Sequence, residues 1–492
     1  MIYSPQSSTI IRRLGLIILT VLLVLLALRP AAKWMGNELL DYDEAGQFWM
    51  SKGLHHYSAP YSECGSLKDA LEYNRHYNMD PGGFTAILYF WSKISNDIHF
   101  LRLLPIIFYW LSIFGTYLIG KKLFSSRVWA MALALLLVLP SPSASIPYFS
   151  IPFAARAGYL RAYTMEMAGV VLCVWYLLKE HDNLTSKSLL KLSLLMCFFC
   201  TSRYGFIIAA FAMSLYVLWQ IYNQKEPLII TIKRVCVFSI PLLITVAAVY
   251  FGEAKYQNSG LELLPYYRAL GQSAELWCGW MSVSLYLVSC YVCVQKFIRK
   301  TSVSPLYVLT CVIGWVFVVF SCLNKYPWAP LSTMPVMLLT QISLFSLLLK
   351  SFKRIPISIV YPSLLVIMLF LNLALWRIHI RAVGKYQSEL DLKELKELCY
   401  ESQSVLVTTG MNPTYRYLFE YGALQDVAYP ASFSFCVGSM HHDDFWQIKE
   451  EADAIDYQKY TYVVIDSKLA QVVPEGFVQI GSYTCKNMQG EK

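Results

Sequence analysis

Three carboxylates fall within four residues at Asp41-Tyr42-Asp43-Glu44, just ahead of Ala45-Gly46-Gln47-Phe48-Trp49. Like charges this close repel one another and are costly to take out of water. Such a group calls for a cation, a metal ion or a role as proton acceptor. The plainer alternative is a solvated acidic loop, or the first turn of a helix, where the helix dipole favours acidic side chains. A second feature is Asn78-Met79-Asp80-Pro81-Gly82-Gly83-Phe84. Pro-Gly-Gly is a turn signal, and Asp80 has the chemistry of a helix cap or of a second acidic group at a site.

These residues must be positioned by a chain of unusual composition. It has 492 residues, 56% of them apolar and only 15% charged, whereas soluble chains carry about 25% charged residues. An ordinary soluble enzyme is therefore excluded. The net charge of +9 invites a nucleic-acid reading, but the Lys and Arg residues sit in small clusters between apolar runs, as in a membrane protein. Runs long enough to cross a bilayer start near Leu14, Leu103, Val128, Tyr163, Leu189, Tyr204, Thr231, Trp277, Pro305, Leu331 and Pro356. They give about eleven transmembrane helices, with the run at 189–202 short for the purpose. The segment Phe84–Ile94 is too short to cross and reads as a helix at the membrane surface.

The basic clusters supply the orientation. They are Arg12/Arg13, Lys121/Lys122/Arg127, Lys179/Lys187/Lys191, Lys225/Lys233/Arg234, Lys296/Arg299/Lys300 and Lys350/Lys353/Arg354. If 84–94 does not cross, all of them fall on one side, which places the N-terminus in the cytoplasm and the C-terminal segment outside. A cleaved signal peptide is the alternative for the first run, but its apolar stretch continues to Leu28. The expected fold is an α-helical polytopic membrane protein with a large first external loop (33–101) within a transmembrane domain (1–376). A small external α/β domain (377–492) follows, where charged residues return. Within it, Ser404–Thr408 and Thr461–Ile465 read as strands, and Pro413–Tyr421 and Ser388–Cys399 as helices.

No internal repeat, GxGxxG, Walker or HExxH sequence is present. Most cysteines lie in apolar runs as small packing residues. Cys64, Cys399, Cys436 and Cys485 fall in the external segments, where an oxidising compartment permits a disulfide whose pairing stays open. The adjacent pairs His55/His56 and His441/His442 diverge along the chain and suit structural roles better than chelation. The sequon at Asn183 falls on the cytoplasmic side and is expected to be unmodified.

The order of the motifs carries a resemblance. The acidic pair Asp43-Glu44 follows the first span, then the Pro/Gly-led aromatic segment from Pro81, then Arg102-Leu-Leu-Pro105 at a helix start, then Gly120-Lys-Lys-Leu-Phe124 at its end. Arg161-Ala-Tyr163, Thr201-Ser-Arg203-Tyr204 and Lys325-Tyr326 with Pro335 fit more loosely. Across residues 10–350 this pattern resembles the GT-C superfamily of polytopic glycosyltransferases, in the branch of the aminoarabinose lipid A transferase and the protein mannosyltransferases. The resemblance implies transfer of a sugar from a polyprenyl-phosphate donor to a hydroxyl of a lipid, glycan or protein acceptor, outside the cell (inner) membrane and with inversion. It implies Asp43 as general base, beside Glu44 of the same pair; Asp80, which departs from the family pattern, is a further candidate catalytic carboxylate at the acceptor, or a mark of a different sugar or carrier. Arg161, Arg203 and Lys325 are the expected donor-phosphate ligands, with Lys255 and Arg268 as second choices.

Two departures stand out. Relatives often carry a basic residue and Pro-Pro where this chain has Asp80-Pro81-Gly82. Asp41-Tyr42-Asp43 also matches the acidic motif that binds a divalent metal in oligosaccharyl-transferring members. The expectation is no cofactor, with a divalent ion on Asp41 and Asp43 as the alternative. Expected partners are the lipid-linked donor, the acceptor and membrane lipids, with no nucleic acid. The rival functions are a polytopic transporter, whose intramembrane charges mark an ion path, and a polysaccharide ligase or polymerase of another fold. Against the first, no inverted repeat is visible. Against the second, the largest loop between spans is the first one and not a late one.

Overall fold

The structure is a computed structural model that describes residues 5–54, 62–78, 80–138, 156–181, 184–256, 280–323, 334–352, 359–372, 396–397, 405–409, 412–426, 457–466, 473, 475–480 and 484–488. Lys325, Arg268, Cys399, Cys436, both His pairs, Asn183 and most of Ser388–Cys399 lie outside the described residues.

The chain is mainly helical. Helices α1 (Pro5–Met35), α2 (Tyr42–Ser51), α3 (Leu67–Tyr77), α4 (Gly83–Ser92) and α5 (Ile98–Phe124) come first. Then follow α6 (Arg127–Leu135), α7 (Tyr163–Glu180), α8 (Ser186–Cys200), α9 (Tyr204–Asn223) and α10 (Leu228–Val249), the last extended by a π turn at Tyr250–Ala254. Helices α11 (Trp280–Cys293), α12 (Pro305–Leu323), α13 (Met334–Ser351) and α14 (Ile359–Asn372) complete the apolar part.

Among the described residues five segments are long and apolar enough to cross a membrane: Arg13–Met35, Ile98–Phe124, Tyr204–Asn223, Leu228–Ala254 and Met334–Ser351. Shorter apolar helices occupy Ser284–Ile298, Pro305–Phe320 and Ile359–Asn372. Helix α7 has the length but carries Glu166, Lys179 and Glu180, and α8 has only 15 residues. Helix α4, of 10 residues, is too short to span, as its sequence indicates.

Two compact units result. The first comprises Met1–Trp34, Asn74–Ile87 and Arg102–Arg377; the second comprises Met35–Tyr73, Leu88–Leu101 and Ile378–Lys492. In the first, α8 packs on α7 and α10, α9 on α12, and α11, α12 and α13 on one another. Small residues admit close approach: a Cβ on Gly169 would meet the Phe199 ring at 2.5 Å, and one on Gly314 the Leu285 side chain at 2.5 Å. Hydroxyls tie the helices together, with Ser193 Oγ donating to the Phe238 carbonyl at 2.7 Å and Thr310 and Ser343 hydroxyls 2.6 Å apart. Ile229, Leu243 and Ile244 on α10 are more than half exposed, an apolar face suited to lipid.

The lysines of the first unit gather at particular helix ends. Arg102, at the head of α5, donates from Nη1 to the Trp34 carbonyl near the end of α1 at 2.8 Å. The Gly83 amide donates to the Thr201 carbonyl just past α8 at 3.0 Å. The opposite ends of α5, α7 and α9, and the starts of α8 and α10, carry Lys121/Lys122, Lys179, Lys225, Lys187 and Lys233/Arg234.

The second unit joins the first loop to the tail. Its sheet has strands β1 (Val405–Thr409), β2 (Tyr462–Asp466), β3 (Phe477–Gln479) and β4 (Thr484–Asn487) in the order β1-β2-β4-β3. Strands β1 and β2 are parallel, and the other pairs are antiparallel. Val463, Phe477 and Cys485 are buried in its core. Helix α15 (Asn412–Glu420) lies in the crossover from β1 to β2 and packs on α2. The Trp49 indole donates to the Pro413 carbonyl at 2.9 Å, Phe48 meets Tyr417 edge-on at 5.0 Å, and the Tyr417 hydroxyl donates to the Asn96 carbonyl at 2.8 Å. Arg416 is fully buried over the Trp49 ring at 4.0 Å and is paired with Glu420 at 2.8 Å.

Candidate functional site

Asp80, Arg161 and Arg203 are far apart in sequence and meet in the first unit. Arg203 Nε donates to Asp80 Oδ1 at 2.9 Å, and Arg161 Nη2 to Asp80 Oδ2 at 3.4 Å. The second arm of Arg203 reaches Glu166 Oε2 at 3.3 Å. Asp80 is 4% exposed and Glu166 fully buried, so these charges are held at low dielectric and each depends on its partner. Arg203 is the residue just before α9, Arg161 lies just before α7, and Glu166 is in the first turn of α7.

The turn that presents Asp80 is held from several sides. Arg161 Nη2 also donates to Asn78 Oδ1 at 3.2 Å, and Asn78 Nδ2 to Asn74 Oδ1 at 2.8 Å. Asn74 Nδ2 donates to the Asp80 carbonyl at 2.9 Å, and the Thr85 hydroxyl bonds Asn74 Oδ1. The Gly82 amide donates to Glu253 Oε2 from the π turn after α10. Gly83 has no room for a side chain: a Cβ there would stand 2.0 Å from Thr201 Oγ1 and 2.6 Å from the Thr201 carbonyl.

Aromatic rings extend the cluster. Arg203 lies over the Tyr163 ring at 4.2 Å, and Arg156 lies over Tyr159 at 4.3 Å and over Tyr163 at 5.6 Å. Tyr159 packs on Trp34 at 5.7 Å, and Arg102 lies over Trp34 at 5.2 Å. Guanidinium groups and rings therefore alternate around the ends of α1, α5, α7 and α9, an arrangement in which ring quadrupoles stabilise partly desolvated cations.

The acidic stretch belongs to the second unit. Asp41 is the N-cap of α2, and its Oδ1 accepts from the Glu44 amide at 2.9 Å, while Glu44 Oε2 accepts from the Asp41 amide at 3.2 Å. This reciprocal capping box engages two of the three carboxylates, and Glu44 is 1% exposed. Asp43 is exposed on the first turn of α2. Asp41 and Asp43 supply two carboxylates, one already a helix cap, and among the described residues no group of three or more His, Cys, Asp or Glu is arranged to hold a metal. The donor set fits a divalent ion poorly.

Nearby in the same unit, Lys52 donates to the Ser92 carbonyl at 3.2 Å. Burial, with Lys93 adding to it, lowers its pKa against the opposing influence of Cys64. Burial pushes the Tyr421 hydroxyl up to about 12, helped by Cys64 and Glu420.

Of the residues singled out by sequence, the fold gathers Asp80, Arg161 and Arg203 in the first unit and Asp43 and Glu44 in the second. Lys325 lies outside the described residues, and Lys255 follows the π turn that carries Glu253. Sequence reading missed Arg156, Glu166 and Glu253. A glutamate three residues into an apolar helix was the available signal for Glu166.

No protein-family model matches the chain, and no curated protein matches it. Among solved structures, an Archaeoglobus fulgidus oligosaccharyltransferase, in complex with zinc and sulfate, aligns over 91% of this chain and 67% of its own. The identity is 13% and the TM-score 0.44, a loose overall likeness.

Proposed function

We propose that the chain is a membrane glycosyltransferase of the GT-C type, which moves a sugar from a polyprenyl-phosphate donor to an acceptor hydroxyl and inverts the anomeric centre. The observation that carries this reading is the meeting of Asp80, Arg161 and Arg203 across as many as 123 residues of sequence. Arg161 and Arg203 belong to the looser motifs of the resemblance, and Asp80 stands where this chain departs from it.

The chemistry follows from the residue types. A phosphate on a lipid carrier is a good leaving group, so bond breaking at C1 needs its growing charge stabilised more than it needs a proton donor. Guanidinium groups suit that task because their planar forks match phosphate oxygens. Arg161 and Arg203 supply them, and Lys325 is the third expected ligand. Asp80, with both carboxylate oxygens on guanidinium groups, serves to orient these cations. Asp43 is the base: this exposed carboxylate on the first turn of α2 takes the proton of the acceptor hydroxyl as the oxygen attacks C1. Glu44 and Asp41 hold the helix that carries it. The reaction balances with no cofactor, the proton going to Asp43 and the electron pair of the C1–O bond to the lipid phosphate. On this reading the N-terminus is cytoplasmic, and Asp43, the Asp80 cluster and the C-terminal segment face the outside of the cell membrane.

The test is sugar transfer in membranes that hold the wild type or Asp43→Asn, supplied with a panel of radiolabelled polyprenyl-phosphate sugars, with and without chelator. Transfer by the wild type in chelator, reduced at least about 100-fold in the variant at equal protein level, is expected for loss of a general base. Undiminished transfer by Asp43→Asn removes Asp43 from the mechanism, and chelator sensitivity restores the metal alternative.

A further inference from the structure

The arginines around Tyr163 and Asp80 differ in how they are engaged. Arg161 is paired with Asp80, and Arg203 with both Asp80 and Glu166. Arg156 is a third guanidinium beside the same Tyr163 ring, and among the described residues no carboxylate pairs with it. It is half-buried and lies over Tyr159 at 4.3 Å. Arg156 thus carries its charge in a partly buried place with no carboxylate paired to it among the described residues.

Such a charge is costly without a counter-ion, and contact with aromatic rings repays only part of the cost. Lying against both Tyr159 and Tyr163 also limits where the guanidinium can go before any ligand arrives. A partly buried guanidinium on two rings, with no carboxylate paired to it among the described residues, is suited to take an oxyanion.

We infer that Arg156 is a further direct ligand of the donor's phosphate, beside Arg161 and Arg203, which are partly engaged by carboxylates. This rests on the glycosyltransferase reading. Arg156 binds through charge-assisted N–H bonds to phosphate oxygens, and Tyr159 and Tyr163 limit its movement. The ligand chemistry is a monophosphate ester, and the lipid-linked form is the one this apolar setting favours.

The experiment uses the full-length protein in lipid nanodiscs and measures binding of a polyprenyl monophosphate, the polyprenol of the same length, and inorganic phosphate. The variants are Arg156→Gln, which removes the charge but keeps a planar group over Tyr159, and Arg156→Lys, which keeps the charge. The wild type is expected to prefer the prenyl phosphate to the prenol. Arg156→Gln should lose about 10- to 100-fold in phosphate-ester affinity with no change toward the prenol, and Arg156→Lys should recover part of it. A thermal midpoint unchanged by Arg156→Gln separates lost charge from lost packing. If the wild type prefers the phosphate and Arg156→Gln binds it equally well, the inference on Arg156 is overturned while the donor reading stands. If the wild type shows no preference for phosphate over prenol, both are overturned. Displacement by inorganic phosphate at equal concentration would assign the site to the free ion and overturn a lipid-linked ligand.

Discussion

Asp80 shows how one side chain decides the character of a site. A carboxylate at this position of the motif reads from sequence as a second catalytic acid or a helix cap, and its burial between two arginines makes it their anchor. Removing one partner of a buried pair leaves an uncompensated charge, so Asp80→Ala should destabilise the protein by about 3–5 kcal/mol. Combining Asp80→Leu with Arg203→Met should cost clearly less than the two changes added together. Thermal unfolding of the detergent-solubilised protein reads both, and strict additivity would show that the pair is not coupled. Arg161 and Arg203 were legible because each lies in a short motif at a helix start. Arg156 was not, because a lone arginine in an apolar stretch looks like an interfacial anchor, and only the rings of Tyr159 and Tyr163 distinguish it.

At the scale of the element, α2 carries the candidate base and is itself built by its acidic residues. Sequence reading left a metal motif and a helix start as alternatives for Asp41, and the capping box is the geometry of a helix start. Asparagine caps about as well as aspartate, while alanine costs roughly 0.5–2 kcal/mol. Asp41→Asn should therefore retain stability and transfer, and Asp41→Ala should lose stability. A loss of transfer in Asp41→Asn at full stability would instead mark Asp41 as a metal ligand.

The same helix packs on α15, and here pH offers a check. Burial, with Cys64 and Glu420, raises Tyr421 from 10.0 to about 12. The folded state thus holds the phenolic proton where the unfolded chain has released it. The stabilisation is complete below about pH 10 and is lost as pH rises toward about 12. Thermal midpoints across that range should fall more steeply for the wild type than for Tyr421→Phe, and parallel curves would contradict the placement of Tyr421. That α2 meets α15, with Trp49 bonded to a carbonyl 364 residues on, could not be read from sequence. Both are short amphipathic helices, and nothing in periodicity says which apolar face receives which.

For the molecule as a whole, the helix count and the charge pattern were legible to different degrees. The strands at Ser404–Thr408 and Thr461–Ile465 were visible as β-branched runs and pair as β1 and β2, each displaced by one residue. Among the described residues five segments have spanning length and composition, where hydropathy suggested about eleven. The difference lies partly in α7, whose glutamate belongs to the Asp80 cluster, and partly in helices such as α8 that are shorter than a bilayer requires. Lys121/Lys122, Lys179 and Lys225 follow or end α5, α7 and α9, whereas Asp80 meets Arg161 and Arg203 at the starts of α7 and α9. That polarity underlies the claim that a lipid-linked donor is engaged on the side away from the basic clusters. The most direct measurement is a structure of the full-length protein in nanodiscs with bound polyprenyl monophosphate. The phosphate is expected within hydrogen-bonding distance of Arg156, Arg161 or Arg203, near the starts of α7 and α9. A phosphate lodged at the opposite helix ends, beside Lys121, Lys179 or Lys225, would contradict the account.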